Sequence, residues 1–184
     1  LRDQPWRSKY GKTTILYPWQ RLGAKQIILL GLGKETELTD DTVRALAGTA
    51  LRAARDIRSS TVAMVTHGFP AIQAVVEGAL LGNYQFTSYK TDKTDHHVVE
   101  KIFLFASNAD GNLVAQAIQK GSIIAESVNF ARDMVNHPAN VLTPSRIAEE
   151  ASRIARSHGM ELTVLEQQDM QNLSMHAVLA VAQG

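Results

Sequence analysis

Apolar residues recur along this chain at two spacings, and the alternation between them predicts its elements. Val43, Leu46, Ala47, Ala50, Leu51, Ala54 and Ile57 fall on one face of a helix. Thr39 can cap that helix, with Asp40 and Asp41 in the first turn, where negative charge suits the helix dipole. Thr13–Tyr17 has strand composition. Gln26–Leu30 and Thr61–Thr66 are short apolar runs of the kind found in strands covered on both faces. Pro70 opens a second helix to about Leu81, with Gly82 as its expected left-handed terminator. Val98–Ala106 reads as a strand with Ile102–Phe105 buried, followed by a turn at Asn108–Gly111. Strands alternating with helices predict an α/β fold: a mostly parallel, mixed sheet with helices on both sides, in three layers.

A longer helical stripe follows, through Val114, Ala117, Ile118, Ile124, Ala125, Val128, Ala131 and Val135. It predicts a helix capped by Asn112 and running to Asn136, about 36 Å long. Gly121 interrupts it, as either a local weakness or a close helix contact. His137 precedes Pro138, which disfavours helical backbone and ends the helix near Asn136. Asn136 and Asn140 suit the turn, and Thr143-Pro144 reads as a cap with proline at the first helical position. The next helix runs to His158, with Glu149 and Arg153 spaced for an ion pair and Gly159 as its stop. Leu162 and Val164 suggest a short strand, Met170 and Leu173 a short helix, and Ala177–Ala182 a final apolar strand.

Bulk properties narrow the function. The 184 residues carry 19 basic and 18 acidic side chains and no cysteine. A net charge of +1 argues against a dedicated nucleic-acid binder. The absence of cysteine excludes disulfides, thiolate ligands and a cysteine nucleophile, and suits a reducing cytoplasm. No apolar run reaches the length of a membrane span. A chain opening at Leu1 instead of methionine reads as a piece of a longer protein.

Candidate chemistry is sparse. Gly31-Leu-Gly-Lys34 follows a strand, but Thr36 stands where a dinucleotide loop needs its third glycine, and no Gly-Lys-Ser/Thr precedes a helix. An ordinary strand-to-loop turn is the plainer reading. His67, His96, His97, His137, His158 and His176 include no helical pair of the zinc-protease kind. His96 and His97 read as solvated loop residues and His67 as a structural one, although it sits at a strand's C-terminal end, where α/β sites often lie. Two-metal chemistry needs converging carboxylates. Glu149 and Glu150 diverge as helix neighbours, Glu166 and Asp169 make a lone pair, and Asp92 and Asp95 lie in a polar loop. No Gly-x-Ser-x-Gly elbow occurs. Tyr84, Phe86, Tyr89 and Lys90 could stack on bases, but read more simply as aromatics packing an edge segment. Arg132 and Asp133, at a helix end, are expected to tie the following turn through charged hydrogen bonds.

Ala131-Arg-Asp-Met-Val-Asn-His-Pro-Ala-Asn-Val-Leu-Thr-Pro144 resembles the stretch that opens the catalytic domain of the leucine aminopeptidase (cytosol aminopeptidase) family. Gly31–Lys34, Gly82-Asn-Tyr-Gln-Phe-Thr-Ser-Tyr-Lys90 and Met175–Gly184 agree in the family's order, so the resemblance covers nearly the whole chain. His137 and His176 stand where a smaller or uncharged residue is expected. The resemblance implies a macro-domain-like N-terminal domain at 1–111, a connecting helix at 112–136 and the truncated beginning of a metallopeptidase domain at 137–184. It implies a cytoplasmic homohexamer that removes N-terminal residues from peptides. Two divalent ions, zinc or manganese, would activate a bridging water and polarise the scissile carbonyl. The family's metal ligands, carbonyl-holding lysine and Asn-Thr-Asp-Ala-Glu-Gly-Arg segment have no counterpart in 1–184. No catalytic, cofactor-binding or metal residue is therefore assigned here, and this stretch by itself is expected to be inactive and metal-free. The alternative is a non-catalytic macro-like module that binds a nucleotide or ADP-ribose, or that serves as a regulatory docking surface.

Overall fold

The computed structural model describes residues 9–19, 22–66, 71–92, 96–106 and 110–183. The chain divides into two compact units, Leu1–Asp133 and Met134–Gly184. The class is α/β, as the alternation predicts.

In the first unit, β1 (Thr13–Leu16) and β2 (Ile27–Leu30) pair antiparallel, with Thr13 opposite Leu30 and Leu16 opposite Ile27. A 3-10 turn at Glu35–Glu37 leads to α1 (Asp40–Asp56). Then come β3 (Thr61–Val65), α2 (Ile72–Asn83), β4 (Lys101–Phe105) and α3 (Gly111–Asn136), the last of which ends in the second unit. β3 and β4 run parallel, Thr61 opposite Lys101 and Val65 opposite Phe105. Such pairing needs a crossover, and α2 supplies it. Thr39 caps α1 as expected, its hydroxyl accepting from the Thr42 amide at 3.3 Å.

The core forms where α1 and α2 cover one face of the parallel pair. Val43, Ala47, Ala74 and Val75 pack with Met64 and Leu104, and Leu51, Ala54, Ala79 and Val99 with Ile28, Val62 and Ile102. The opposite face stays open: Val65, Phe103 and Phe105 are 74, 53 and 59 % exposed. The expectation that 61–66 and 102–105 are buried throughout is thus corrected. Successive strand side chains point to opposite faces, and the packed helices cover only one of them.

Two further expectations change, and one open alternative is decided. Gly82 does not end α2 in a left-handed turn; it lies inside the helix, which runs to Asn83. Pro70, like His67, lies outside the described residues, as do Asp95, Asn108 and Gly184. The cap of α3 comes from Asp110 instead of Asn112: its Oδ1 accepts from the Asn112 amide at 2.8 Å. Gly121 is a close helix contact, since a Cβ there would stand 2.9 Å from the Gln73 carbonyl oxygen and 3.0 Å from Val76 Cβ.

The second unit takes up the end of α3, which stops at Asn136 before His137-Pro138. α4 (Pro144–His158) starts as its sequence predicts: Thr143 Oγ1 accepts from the Arg146 amide at 3.3 Å. Gly159 closes it at φ 64°. Along its surface Arg146 reaches Glu149 at 2.9 Å and Glu150 at 3.0 Å, while Arg153 donates to Glu150 at 2.8 Å. These guanidiniums hold the Glu150 carboxyl below its ordinary range, Arg153 most strongly. α5 (Gln167–Asn172) follows, then α6 (His176–Ala182).

The expected strand at Ala177–Ala182 is therefore a helix, and Leu162–Val164 belongs to no strand. An apolar run of this length fits either state. A strand needs a neighbour to take its backbone hydrogen bonds, and none is paired with it among the described residues. A helix satisfies its own groups, as in the Leu179 amide's bond to the Met175 carbonyl at 3.2 Å.

Candidate functional site

The polar groups of the first unit gather around α2. Glu77 is the one charged residue of α2 and is only 3 % exposed. Gln73, one turn earlier, donates to its Oε1 at 2.7 Å, and Arg44 Nε of α1 donates to its Oε2 at 2.6 Å. Arg44 also pairs with Asp41. Burial opposes ionisation of Glu77, but the bonds from Gln73 and Arg44, with the fields of Arg44 and Lys120, outweigh it and lower its pKa. The carboxylate is ionised and fully engaged, so it ties helices together and is not poised to accept a substrate proton.

A second group surrounds the C-terminal end of α2, where helix carbonyls lack partners and the dipole favours cations. Arg55 Nη1 donates to the Gly82 carbonyl at 3.4 Å and Arg132 Nη1 to the Leu81 carbonyl at 3.1 Å. Asn129 Nδ2 donates to the Leu80 carbonyl at 3.4 Å. Arg132 also lies 5.5 Å from the centre of the Tyr84 ring, and Tyr84 Oη donates to Asp133 Oδ1 at 2.8 Å. Arg132 and Asp133 thus tie α3 to the end of α2, a correction to the expectation that they brace the turn after Asn136. Nearby, Asn83 binds the Val99 backbone in both directions, donating to its carbonyl at 2.8 Å and accepting from its amide at 3.0 Å. Asn83→Leu leaves two backbone groups of a buried residue without partners. It is expected to cost ~3 kcal/mol, read as a fall in the urea midpoint with unchanged slope.

The other sequence candidates do not converge. The Gly31 amide donates to the Lys12 carbonyl and its carbonyl accepts from the Gly11 amide, both at 2.8 Å, so Gly31 extends the β1–β2 ladder. A Cβ on Gly31 would stand 2.0 Å from the Lys9 carbonyl oxygen, which accounts for the glycine without a phosphate. Lys34 pairs with Glu37 at the surface. His96, His158 and His176 are exposed. His97 is half-buried, not solvated as expected, and its Nε2 is buried without a partner among the described residues. Glu149 and Glu150 do not diverge; they meet at the Arg146 guanidinium. Glu166 and Asp169 form the capping box of α5, with the Glu166 amide donating to Asp169 Oδ2 at 3.0 Å. Phe86 and Tyr89 pack on each other with ring centres 5.8 Å apart. Among the described residues no three His, Asp or Glu side chains come together as metal ligands. The residues described therefore do not fit a two-metal centre. The Arg44–Glu77 pair escaped the sequence reading, although an acid inside the run Ala74-Val-Val-Glu-Gly-Ala-Leu-Leu81 was a visible signal that a partner was needed.

Comparison with known proteins places this scaffold. Residues 1–93 match the N-terminal domain of the cytosol aminopeptidase family and residues 129–184 its catalytic domain. A probable cytosol aminopeptidase of Alkaliphilus oremlandii (strain OhILAs) is 37 % identical over the whole chain, which covers 39 % of that protein. One from Geotalea uraniireducens (strain Rf4) is 38 % identical over 99 % of this chain and 38 % of its own length. The chain thus spans about two fifths of the length of these relatives. Among solved structures, the bottromycin maturation enzyme BotP in complex with Mn aligns with a TM-score of 0.75 at 26 % identity, over 94 % of this chain and 36 % of BotP. A tomato leucine aminopeptidase mutant shares the fold, with a TM-score of 0.77 at 21 % identity over 91 % of this chain and 34 % of its own. Among the described residues no helix is long and apolar enough to cross a membrane. With its two ends matching the family's two domains in order, this chain belongs to the cytosol aminopeptidase family.

Proposed function

We propose that this chain is the N-terminal domain, connecting helix and first part of the catalytic domain of a cytoplasmic aminopeptidase that removes N-terminal residues from peptides. The observation that carries the reading is the pair of family matches, at 1–93 and 129–184, in a chain similar to its relatives throughout. The domains are read as 1–111, macro-like, then 112–136 and 137–184. The parent protein assembles as a homohexamer and acts on peptides, without nucleic acid or membrane. In the parent protein two divalent ions, manganese or zinc, would supply the activation of the attacking water, held by residues other than those described here; the manganese in the BotP complex supports metal use. The described residues hold no ligand cluster for these ions. Under this reading residues 1–184 scaffold the chemistry and do not perform it.

Leucine-amide hydrolysis with added manganese tests the proposal. The full-length protein is expected to turn over the substrate and lose activity on chelation, while residues 1–184 show none. Turnover by residues 1–184 alone, or none by the full-length protein, overturns it.

A further inference from the structure

α3 is 26 residues long, and its C-terminal turns should fray unless something holds them. Its last residue in the first unit is Asp133, and Val135 just beyond is 84 % exposed. Between Asn129 and Asp133, three side chains of α3 reach the end of α2. Asn129 and Arg132 donate to the Leu80 and Leu81 carbonyls. The Arg132 guanidinium lies over the Tyr84 ring at cation–π distance, and Asp133 accepts from the Tyr84 hydroxyl. Arg132 also donates to Asn129 Oδ1 at 3.3 Å, so the group is linked internally.

We infer that Tyr84, Arg132 and Asp133 form a clasp that holds the Asn129–Asp133 turn of α3 against the end of α2, as the last turn of that helix within the first unit. Each member has a separate part. Arg132 meets the negative end of α2, where its charge is favoured. The Tyr84 ring gives the guanidinium an apolar face to rest on. The Tyr84 hydroxyl holds the Asp133 carboxylate through a charge-assisted bond. Because Tyr84 follows directly on α2, the clasp joins the end of that helix to the exit of α3. Opening it would let the residues before Met134 fray without unpacking the α1–α2 core.

Hydrogen exchange on the full-length protein tests the clasp. Tyr84→Phe keeps the ring and removes only the donor. It is expected to speed exchange of the amides of residues 130–136 about ten-fold, the equivalent of ~1.4 kcal/mol, with α1 and α2 unchanged. Asp133→Asn should produce a smaller increase, since an amide oxygen still accepts. The double variant should be no faster than Tyr84→Phe alone, as for two partners in one bond. Unchanged exchange at 130–136 in Tyr84→Phe, a rise spread evenly over the unit, or additive effects in the double variant would overturn the clasp.

Discussion

Gly78→Ala is expected to be the most damaging small substitution in the first unit, costing ~3 kcal/mol or more. An ideal Cβ on Gly78 would stand 2.0 Å from the Arg44 carbonyl oxygen and 2.8 Å from its carbonyl carbon. Those are backbone atoms of α1, so relief requires moving a helix and not a rotamer. Gly82 and Gly48 face each other in the same contact: a Cβ on Gly82 would lie 2.5 Å from Gly48 Cα. With glycine at all three positions the two helices approach closely enough to bury Val43, Leu51, Val75 and Ala79 between themselves and the sheet. Alanine would raise helix propensity by about 1 kcal/mol, so the measured loss is what remains after that gain. Gly111→Ala is the internal control. It opens α3 with nothing within 4 Å of its virtual Cβ, and is expected to be neutral or slightly stabilising. Urea denaturation of both variants decides the matter. Equal midpoints would mean that α1 and α2 are not in the close contact described.

Arg44→Met is expected to cost about 3–5 kcal/mol at neutral pH, because it leaves Glu77 buried and charged without its cation. Replacing both residues, Arg44→Met with Glu77→Leu, should recover most of that loss, since an apolar pair of similar volume carries no desolvation cost. The pH dependence follows from the lowered Glu77 pKa. A carboxyl whose folded pKa lies below its unfolded one stabilises the fold above the unfolded value, and that contribution is lost as pH falls through the folded value. The contribution is therefore present above the ordinary carboxylate value of 4.5 and disappears below it. Arg44→Met should be hurt most at neutral pH, and its deficit should shrink on acidification as Glu77 takes up a proton. Thermal melts of both proteins from neutral to acidic pH provide the check; a deficit that grows on acidification contradicts the assignment.

Much of this molecule is readable in short windows of its sequence. Thr39 and Thr143 cap their helices, Pro144 opens α4 and Gly159 closes it, each through atoms within four residues. His137-Pro138 ends α3 because a proline restricts the residue before it. The order of segments from Gly31 to Gly184 was enough to suggest the family that the comparisons then showed. What stayed hidden involves atoms brought together from distant positions. Glu77 and Arg44 are 33 residues apart and Tyr84 and Asp133 are 49 apart, so the sequence around one member does not name the other.

By itself, then, the sequence determined the helix limits set by capping chemistry, the α/β class and the family, all of which follow from near-neighbour spacing and motif order. Only the tertiary structure decided that Gly82 is a helix contact instead of a terminator, and Gly121 a contact instead of a weak point. It also decided which face of β3 and β4 is covered, and that Ala177–Ala182 coils. The reason is the same in each case. A glycine, a two-residue alternation or a short apolar run permits several local states, and the choice among them is made by whichever backbone or side chain packs beside it.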